Sequence, residues 1–341
     1  MNEKNLLLGL NPAELKEIIS ALNMPAFTAK QIADWLYKKR VSSIDEMTNI
    51  SAKNRELLKE KYDVGRSEPI YTQTSADDTK KYLFETRNGN LIESVYIPED
   101  DRFTLCVSSQ AGCKMACKFC MTGKQGFNGQ LSAAEIMNQI MSIPEADKLT
   151  NLVFMGMGEP FDNTVELLRA LEILTSDYGY AWSPKRITVS TIGLIPGLKE
   201  FLEKSSCHLA VSMHTPFAKE RLEMMPVEKT YPLQEVLNVV RQYDFTKQRR
   251  ISFEYIMFEG YNDTMRHAVE TVKLLKGLEC RVNLIRFHAI PDVDLRTSDE
   301  QKMLAFRDYL TNNRITCTIR RSRGEDISAA CGMLATKNNH P

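Results

Sequence analysis

From Thr104 onward, short apolar runs that read as strands alternate with stretches of helical periodicity, and this rhythm constrains the fold more than any other feature of the chain. The strand candidates are TLCVSS, NLVFMG, RITVST, HLAVSM, ISFEYIM, RVNLIRF and TCTIRR. Helical patterns begin near Ser132, Asn163, Pro196, Pro232, Asp263 and Ser298, with Ser132-x-x-Glu135 and Ser298-x-x-Gln301 reading as capping boxes. Repeated strand–helix units with apolar strands imply a parallel sheet with helices outside it. About six such units predict an α/β fold, a partial (β/α)6 TIM-like barrel that stays open, with chemistry gathered at the C-terminal ends of its strands.

Residues 1–65 read as a small helical domain. Asn11-Pro12-Ala13-Glu14 is a capping box with proline at the first helical position, and Leu15, Ile18, Ile19 and Leu22 follow at helical spacing. Thr28-x-x-Gln31 opens a second helix with Ile32, Trp35 and Leu36 on one face. It ends in Lys38-Lys39-Arg40, which suits either a helix C-terminus or an RNA contact. Residues 66–103 lose that periodicity, and YLFETRNGNLIESVYI reads as a connecting β-hairpin turning at Asn88-Gly89-Asn90. The barrel core is expected over residues 104–341.

The 341 residues are ample for a real core without covalent staples. Lys plus Arg and Asp plus Glu are 44 each, so a nucleic-acid partner would have to be met by local basic surface rather than by a general field. No run approaches a membrane span and the N-terminus lacks an apolar signal core, so a cytoplasmic protein is expected. In that compartment the eight cysteines read as metal ligands or redox groups before they read as disulfides.

Cys113, Cys117 and Cys120 stand in CKMACKFC with C-x3-C-x2-C spacing, just after the first barrel strand. Closely spaced thiolates hold iron–sulfur clusters. A four-iron cube with three protein ligands keeps one iron open for a small molecule, and S-adenosylmethionine is the known occupant for this spacing. Phe119 would shield the cluster from water. A zinc site is the alternative, but it wants four ligands and no histidine or fourth cysteine lies close downstream.

The surrounding text, TLCVSSQAGCKMACKFCMTGKQGF, FMGMGEP, STIGLIP, SMHTP and RGEDISAACG, resembles the RlmN/Cfr family of radical S-adenosylmethionine RNA methyltransferases over nearly the whole chain. Cfr members, which methylate carbon 8 of an rRNA adenosine, generally read GEA where this chain reads Gly158-Glu159-Pro160. The resemblance therefore favours the RlmN branch, with a carbon-8 enzyme as the alternative. That branch methylates carbon 2 of adenosine in the peptidyl-transferase region of 23S rRNA and beside the anticodon of tRNA. Carbon 2 is electron-poor and no nucleophile, so a radical route is needed. The resemblance implies a [4Fe–4S] cluster and two S-adenosylmethionine molecules per turnover. It implies that Cys331 is methylated first and carries the methyl group, and that Cys106 resolves the protein–RNA adduct through a transient disulfide. Glu93 matches a glutamate assigned as proton acceptor. An external donor of the flavodoxin or ferredoxin class, a monomeric enzyme and an RNA-binding role for the N-terminal domain are also implied.

For S-adenosylmethionine, the resemblance carries over Gly158, Glu159, Ser190, Ser212, Met213, His214 and His288. His288 stands where the family usually has asparagine, and Met333 where it usually has glutamine. Lys185-Arg186 and Arg320-Arg321-Ser322-Arg323 are the local cations expected to meet phosphate. The target base must be extruded to reach Cys331. Cys207, Cys280 and Cys317 sit in strand patterns and read as ordinary core cysteines.

Overall fold

The computed structural model describes residues 4–246 and 249–336. The N-terminal part is not purely helical: a short strand, Asn5–Leu6, pairs in parallel with Tyr62–Asp63 and precedes helix α1 (Pro12–Ala21). Asn11 Oδ1 accepts from the backbone N–H groups of Ala13 and Glu14, and Glu14 Oε2 accepts from the Asn11 N–H in return. The predicted capping box is therefore complete, with Pro12 where a missing donor costs nothing. Helix α2 (Thr28–Ala33) differs from expectation: its N-cap is Phe27, which has no side-chain oxygen, and Thr28 lies inside the helix and is buried. The Thr28 N–H is satisfied instead by the Pro25 carbonyl at 2.9 Å. A π-turn, Asp34–Lys38, follows, and then α3 (Ala52–Lys61). Each cation of Lys38-Lys39-Arg40 has an internal partner. Lys38 pairs with Asp34, Lys39 lies over the Trp35 ring, and Arg40 pairs with Asp147 and covers Tyr180.

The hairpin region contributes β1 (Tyr71–Thr74), β2 (Lys80–Glu85) and β3 (Leu91–Glu99), all antiparallel. The β2–β3 turn falls where expected, with Gly89 at φ +73° and its N–H on the Thr86 carbonyl. The hairpin is not a separate arm. Strand β3 pairs antiparallel with β4 (Arg102–Cys106), the first barrel strand, so the two regions share one ten-stranded sheet.

Six further strands follow β4 in parallel: β5 (Asn151–Phe154), β6 (Ile187–Thr191), β7 (His208–Ser212), β8 (Ile251–Met257), β9 (Cys280–Arg286) and β10 (Thr316–Ile319). The crossover helices are α5 (Ala133–Met141), α6 (Thr164–Thr175), α7 (Ile195–Lys204), α8 (Ala218–Met224) with α9 (Leu233–Val240), α10 (Met265–Leu275) and α11 (Glu300–Asn312); a short α4 (Met121–Gln125) follows the cysteine loop. This is the open six-unit barrel that the strand–helix rhythm predicts. The Ser132 box forms as expected. The Ser298 box does not: Asp299 caps α11, accepting from Gln301 and Lys302, while Ser298 Oγ donates to Asp263. A carboxylate at a helix N-terminus meets the free N–H groups and the dipole together, so the aspartate takes the cap.

Along the strands one set of alternate residues, including Val189, Leu209, Val211, Phe253, Tyr255, Val282 and Leu284, is fully buried in the apolar core. The other set, including Ser190, Ser212, Glu254 and Thr318, opens into the barrel cavity. The period-two pleat thus makes one face of each strand core and the other face site.

Candidate active site

A cavity of about 540 Å³ fills the mouth of the barrel, a size suited to a cofactor-sized ligand. Its wall includes Cys106, Cys113, Cys117, Cys120, Gly158, Glu159, Ser190, Ser212, His214, His288 and Cys331. The structure thus brings together residues spread over more than two hundred positions.

The cysteine loop leaves β4 through Gln110–Gly112, which pairs antiparallel with Phe127–Gln130 and closes the loop at its base. At Gly112, φ is +74° and a Cβ would lie 1.9 Å from the Gly126 carbonyl oxygen, so only glycine fits this closure. The Cys113 N–H donates to that same carbonyl. Phe119 is buried edge-on against His214 and tilted against Phe258, which forms a dry wall behind the loop.

All three thiols are free of disulfides. Burial pushes Cys113 up to about 12, and raises Cys117 with further contributions from Cys120 and Cys113. Three closely spaced thiols, two of them (Cys113 and Cys117) held protonated by burial, are a donor set that a polynuclear cationic cluster ionises and satisfies. The triad therefore fits an iron–sulfur cluster.

Glu159 follows β5 and is fully shielded. Its carboxylate accepts from Thr191 Oγ1 (2.6 Å), the Ile192 N–H (2.9 Å) and the Phe161 N–H (3.0 Å). Burial outweighs these donors and lifts its pKa to about 7. Gly158, at φ +97°, brings the backbone against Gln110, whose Oε1 takes the Glu159 N–H at 2.8 Å. His214 is buried in the left-handed region, its Nδ1 accepts from the Ile256 N–H, and burial depresses its pKa to about 3. His288 bonds Ser322 and Glu325, which lead toward Cys331, and burial lowers its pKa. Met213 points elsewhere: it is fully buried in the apolar core, and its backbone N–H holds the Glu254 carbonyl.

Cys331 is exposed and Cys106 is buried, yet both face the cavity. Burial, and then the neighbouring Cys331, push Cys106 up to about 12. The Arg320 guanidinium is made more basic by Cys331 first, and also by Glu254 and Cys106. Glu93 does not line the cavity. It is buried on β3, with Oε1 3.2 Å from Lys81 Nζ and Oε2 accepting the Ala335 N–H at 3.0 Å. Of the expected phosphate-binding cations, Arg320, Arg321 and Arg323 border the cavity, whereas Lys185 and Arg186 are exposed away from it.

Two residues escaped the sequence reading. Arg221 is fully buried, pairs with Glu228 and donates to the Ile192 and Ser212 carbonyls, so it ties two strand ends together. Its place in a helix with charged neighbours gave no warning. Glu254 lies inside the barrel, and its signal was present: one carboxylate within the apolar strand ISFEYIM.

A barrel open at one side, with a cysteine-rich loop at the first strand end, defines a radical SAM enzyme. The family model described as Radical SAM superfamily matches residues 107–275, and that for the Ribosomal RNA large subunit methyltransferase N-terminal domain matches residues 5–64. A radical SAM methyltransferase from Sphaerobacter thermophilus has the same structure, with a TM-score of 0.91 and 36% identity, over 96% of this chain and 98% of that one. The probable dual-specificity RNA methyltransferase RlmN of Phocaeicola vulgatus is 63% identical over 98% of this chain and 95% of its own length. That of Parabacteroides distasonis is 60% identical over 99% of both. The chain belongs to the RlmN family of RNA methyltransferases, enzymes that use a [4Fe–4S] cluster and S-adenosylmethionine.

Proposed function

We propose that this enzyme methylates carbon 2 of adenosine in 23S rRNA and tRNA, through a methyl group carried on Cys331. The observation that carries this reading is that Cys331 and Cys106 share one cavity with the cysteine triad. Cys113, Cys117 and Cys120 would hold the cluster by three thiolates. When bound, the cluster supplies the low-potential electron that cleaves S-adenosylmethionine. Gly158, Glu159, Ser190, Ser212, His214 and His288 would seat S-adenosylmethionine, with Met213 supporting them from the core side.

Cys331 takes a methyl group from one S-adenosylmethionine, and its exposure suits a nucleophile that must meet two partners in turn. That methyl carbon, after losing hydrogen at the expense of a second S-adenosylmethionine, bonds to carbon 2 and leaves RNA attached to Cys331. The adduct must then give up one electron, which would return to the cluster, and the carbon-2 proton. The Cys106 thiolate attacks the Cys331 sulfur, the sulfur–carbon bond breaks with its electrons going to carbon, and that carbon takes up a proton to become the methyl group as the disulfide forms. Raised to about 12, Cys106 must first lose its proton, because only the thiolate attacks. Glu93 remains the other candidate to take the carbon-2 proton, from a place outside the cavity lining and against Ala335. Both the electron for cleavage and reduction of the disulfide come from outside, the first from a flavodoxin- or ferredoxin-type donor. A single chain suffices, and work on rRNA and tRNA would be cytoplasmic.

The test is anaerobic reconstitution with iron and sulfide, turnover on rRNA fragments and tRNA, and chromatography of the nucleosides. 2-Methyladenosine supports the reading, and 8-methyladenosine overturns it. Cys331→Ala should abolish transfer with iron content unchanged. Cys106→Ala should accumulate a covalent protein–RNA adduct, and protein-free RNA after its turnover would refute the resolving role.

A further inference from the structure

The barrel interior holds a carboxylate that the chemistry above leaves unused. Glu254 is buried on β8. Its Oε1 accepts from Asn283 Nδ2 (2.8 Å) and Ser252 Oγ (3.2 Å), and Thr318 Oγ1 donates to Asn283 Oδ1 behind them. Its Oε2 is shielded from solvent and receives no hydrogen bond. Arg320 Nη1 stands 3.7 Å from it, too far to donate but close enough for both to bond one ligand edge. Arg320 is itself held, with Nη1 3.4 Å from Met155 Sδ and its backbone N–H on the Leu284 carbonyl. Both side chains line the cavity beside Cys106 and Cys331.

A buried charged acceptor without a donor is costly, and it marks a place where a ligand's N–H or O–H belongs. The site offers an acceptor beside a donor. On its Watson–Crick edge adenine offers the complement, an exocyclic amino group beside an unprotonated ring nitrogen, which on that edge only cytosine shares among the other bases. Guanine and uracil put a carbonyl where the amino group stands. In adenine, N1 lies between the amino-bearing carbon 6 and carbon 2. A base held by its amino group and N1 therefore turns carbon 2 toward the groups beside Arg320.

Resting on the carbon-2 reading, we propose that Glu254 and Arg320 are the specificity-determining pair for the target base. Glu254 Oε2 accepts from the exocyclic amino group of the extruded RNA adenine, and Arg320 donates to N1, so that carbon 2 faces the two cysteines. The adenine of S-adenosylmethionine presents the same edge, and the experiment separates the two sources.

The probe is a substrate RNA with purine riboside, which lacks the amino group, in place of the target adenosine. On cluster-loaded wild-type enzyme, kcat/KM should fall roughly 10- to 100-fold, the range for losing a hydrogen bond to a charged group. In Glu254→Gln the carbonyl oxygen stays pinned by Asn283 and Ser252, so the amide nitrogen takes the Oε2 position and turns the acceptor into a donor. That variant should treat the two RNAs alike to within about threefold. Competition of the two RNAs for binding reads the same discrimination without turnover. Equal use of both RNAs by wild type overturns the proposal whether or not the variant folds, which iron content and circular dichroism report. A variant that keeps the wild-type ratio while binding S-adenosylmethionine about tenfold more weakly also overturns it, because the pair would then read the cofactor. Methylation at carbon 8 would sink the carbon-2 reading separately, since the product and the base ratio are independent measurements.

Discussion

The backbone N–H of Met121, one residue past Cys120, donates to the carbonyl of Gly332, one residue past Cys331, at 2.8 Å. The loop proposed to hold the cluster and the loop proposed to carry the methyl group are thus fastened to each other. Thr122 Oγ1 adds a bond to the Leu334 carbonyl, and Gln125 and Thr336 exchange two more. From the other side, Asp326 accepts from Ser75 and Ala76 of the hairpin.

Removing those fasteners should free Cys331 without touching the cluster ligands. Thr122→Val with Gln125→Leu deletes their side-chain bonds, each worth about 1 kcal/mol. Hydrogen exchange over residues 328–336 should quicken about tenfold or more while iron content holds. Unchanged protection would mean that the Met121–Gly332 backbone bond and the hairpin contacts suffice to secure the loop.

Lys81 and Glu93 are both almost fully buried, and their pair supports the same segment through Ala335. Lys81→Met removes one partner of a buried ion pair and should cost about 3–5 kcal/mol in denaturant unfolding, and Lys81→Met/Glu93→Gln should recover most of it. Glu93→Gln also separates two roles. A support role predicts faster exchange near Ala335, whereas a proton-acceptor role predicts lost turnover with exchange unaltered.

Gly158→Ala should cost at least about 2 kcal/mol, because its Cβ would lie 2.5 Å from Gln110 Cβ at a φ of +97°. Gln110 is the acceptor for the Glu159 N–H. S-adenosylmethionine affinity should therefore fall together with the melting temperature, and a variant with normal affinity would dissociate Gly158 from cofactor seating.

Acid should destabilise the chain through His214. Its pKa is about 3 folded against an ordinary 6.5, so the unfolded state takes up the proton first. Its contribution is fully present above pH 6.5 and is lost as pH falls toward about 3, at up to about 1.4 kcal/mol per unit. His214→Asn keeps an acceptor for the Ile256 N–H, tolerates the left-handed backbone and does not titrate. Its unfolding free energy should depend less steeply on pH over that window, and equal slopes would remove His214 from the account.

The sequence by itself determined the barrel, because a period of two in the strands and near four in the helices is a local property that survives without knowledge of partners. It also delivered the Asn11 and Ser132 caps, the Gly89 turn and the cysteine triad, all set by neighbours a few residues apart. Family motifs added Cys106 and Cys331, which no spacing could link. Only the tertiary structure decided that the hairpin continues the barrel sheet, that Asp299 rather than Ser298 caps its helix, and that Glu93 braces Ala335 from outside the cavity. It alone set Glu254 beside Arg320, sixty-six positions apart in the sequence. Those outcomes depend on which buried polar group finds which partner, and burial is a property of the assembled whole that no window of sequence contains.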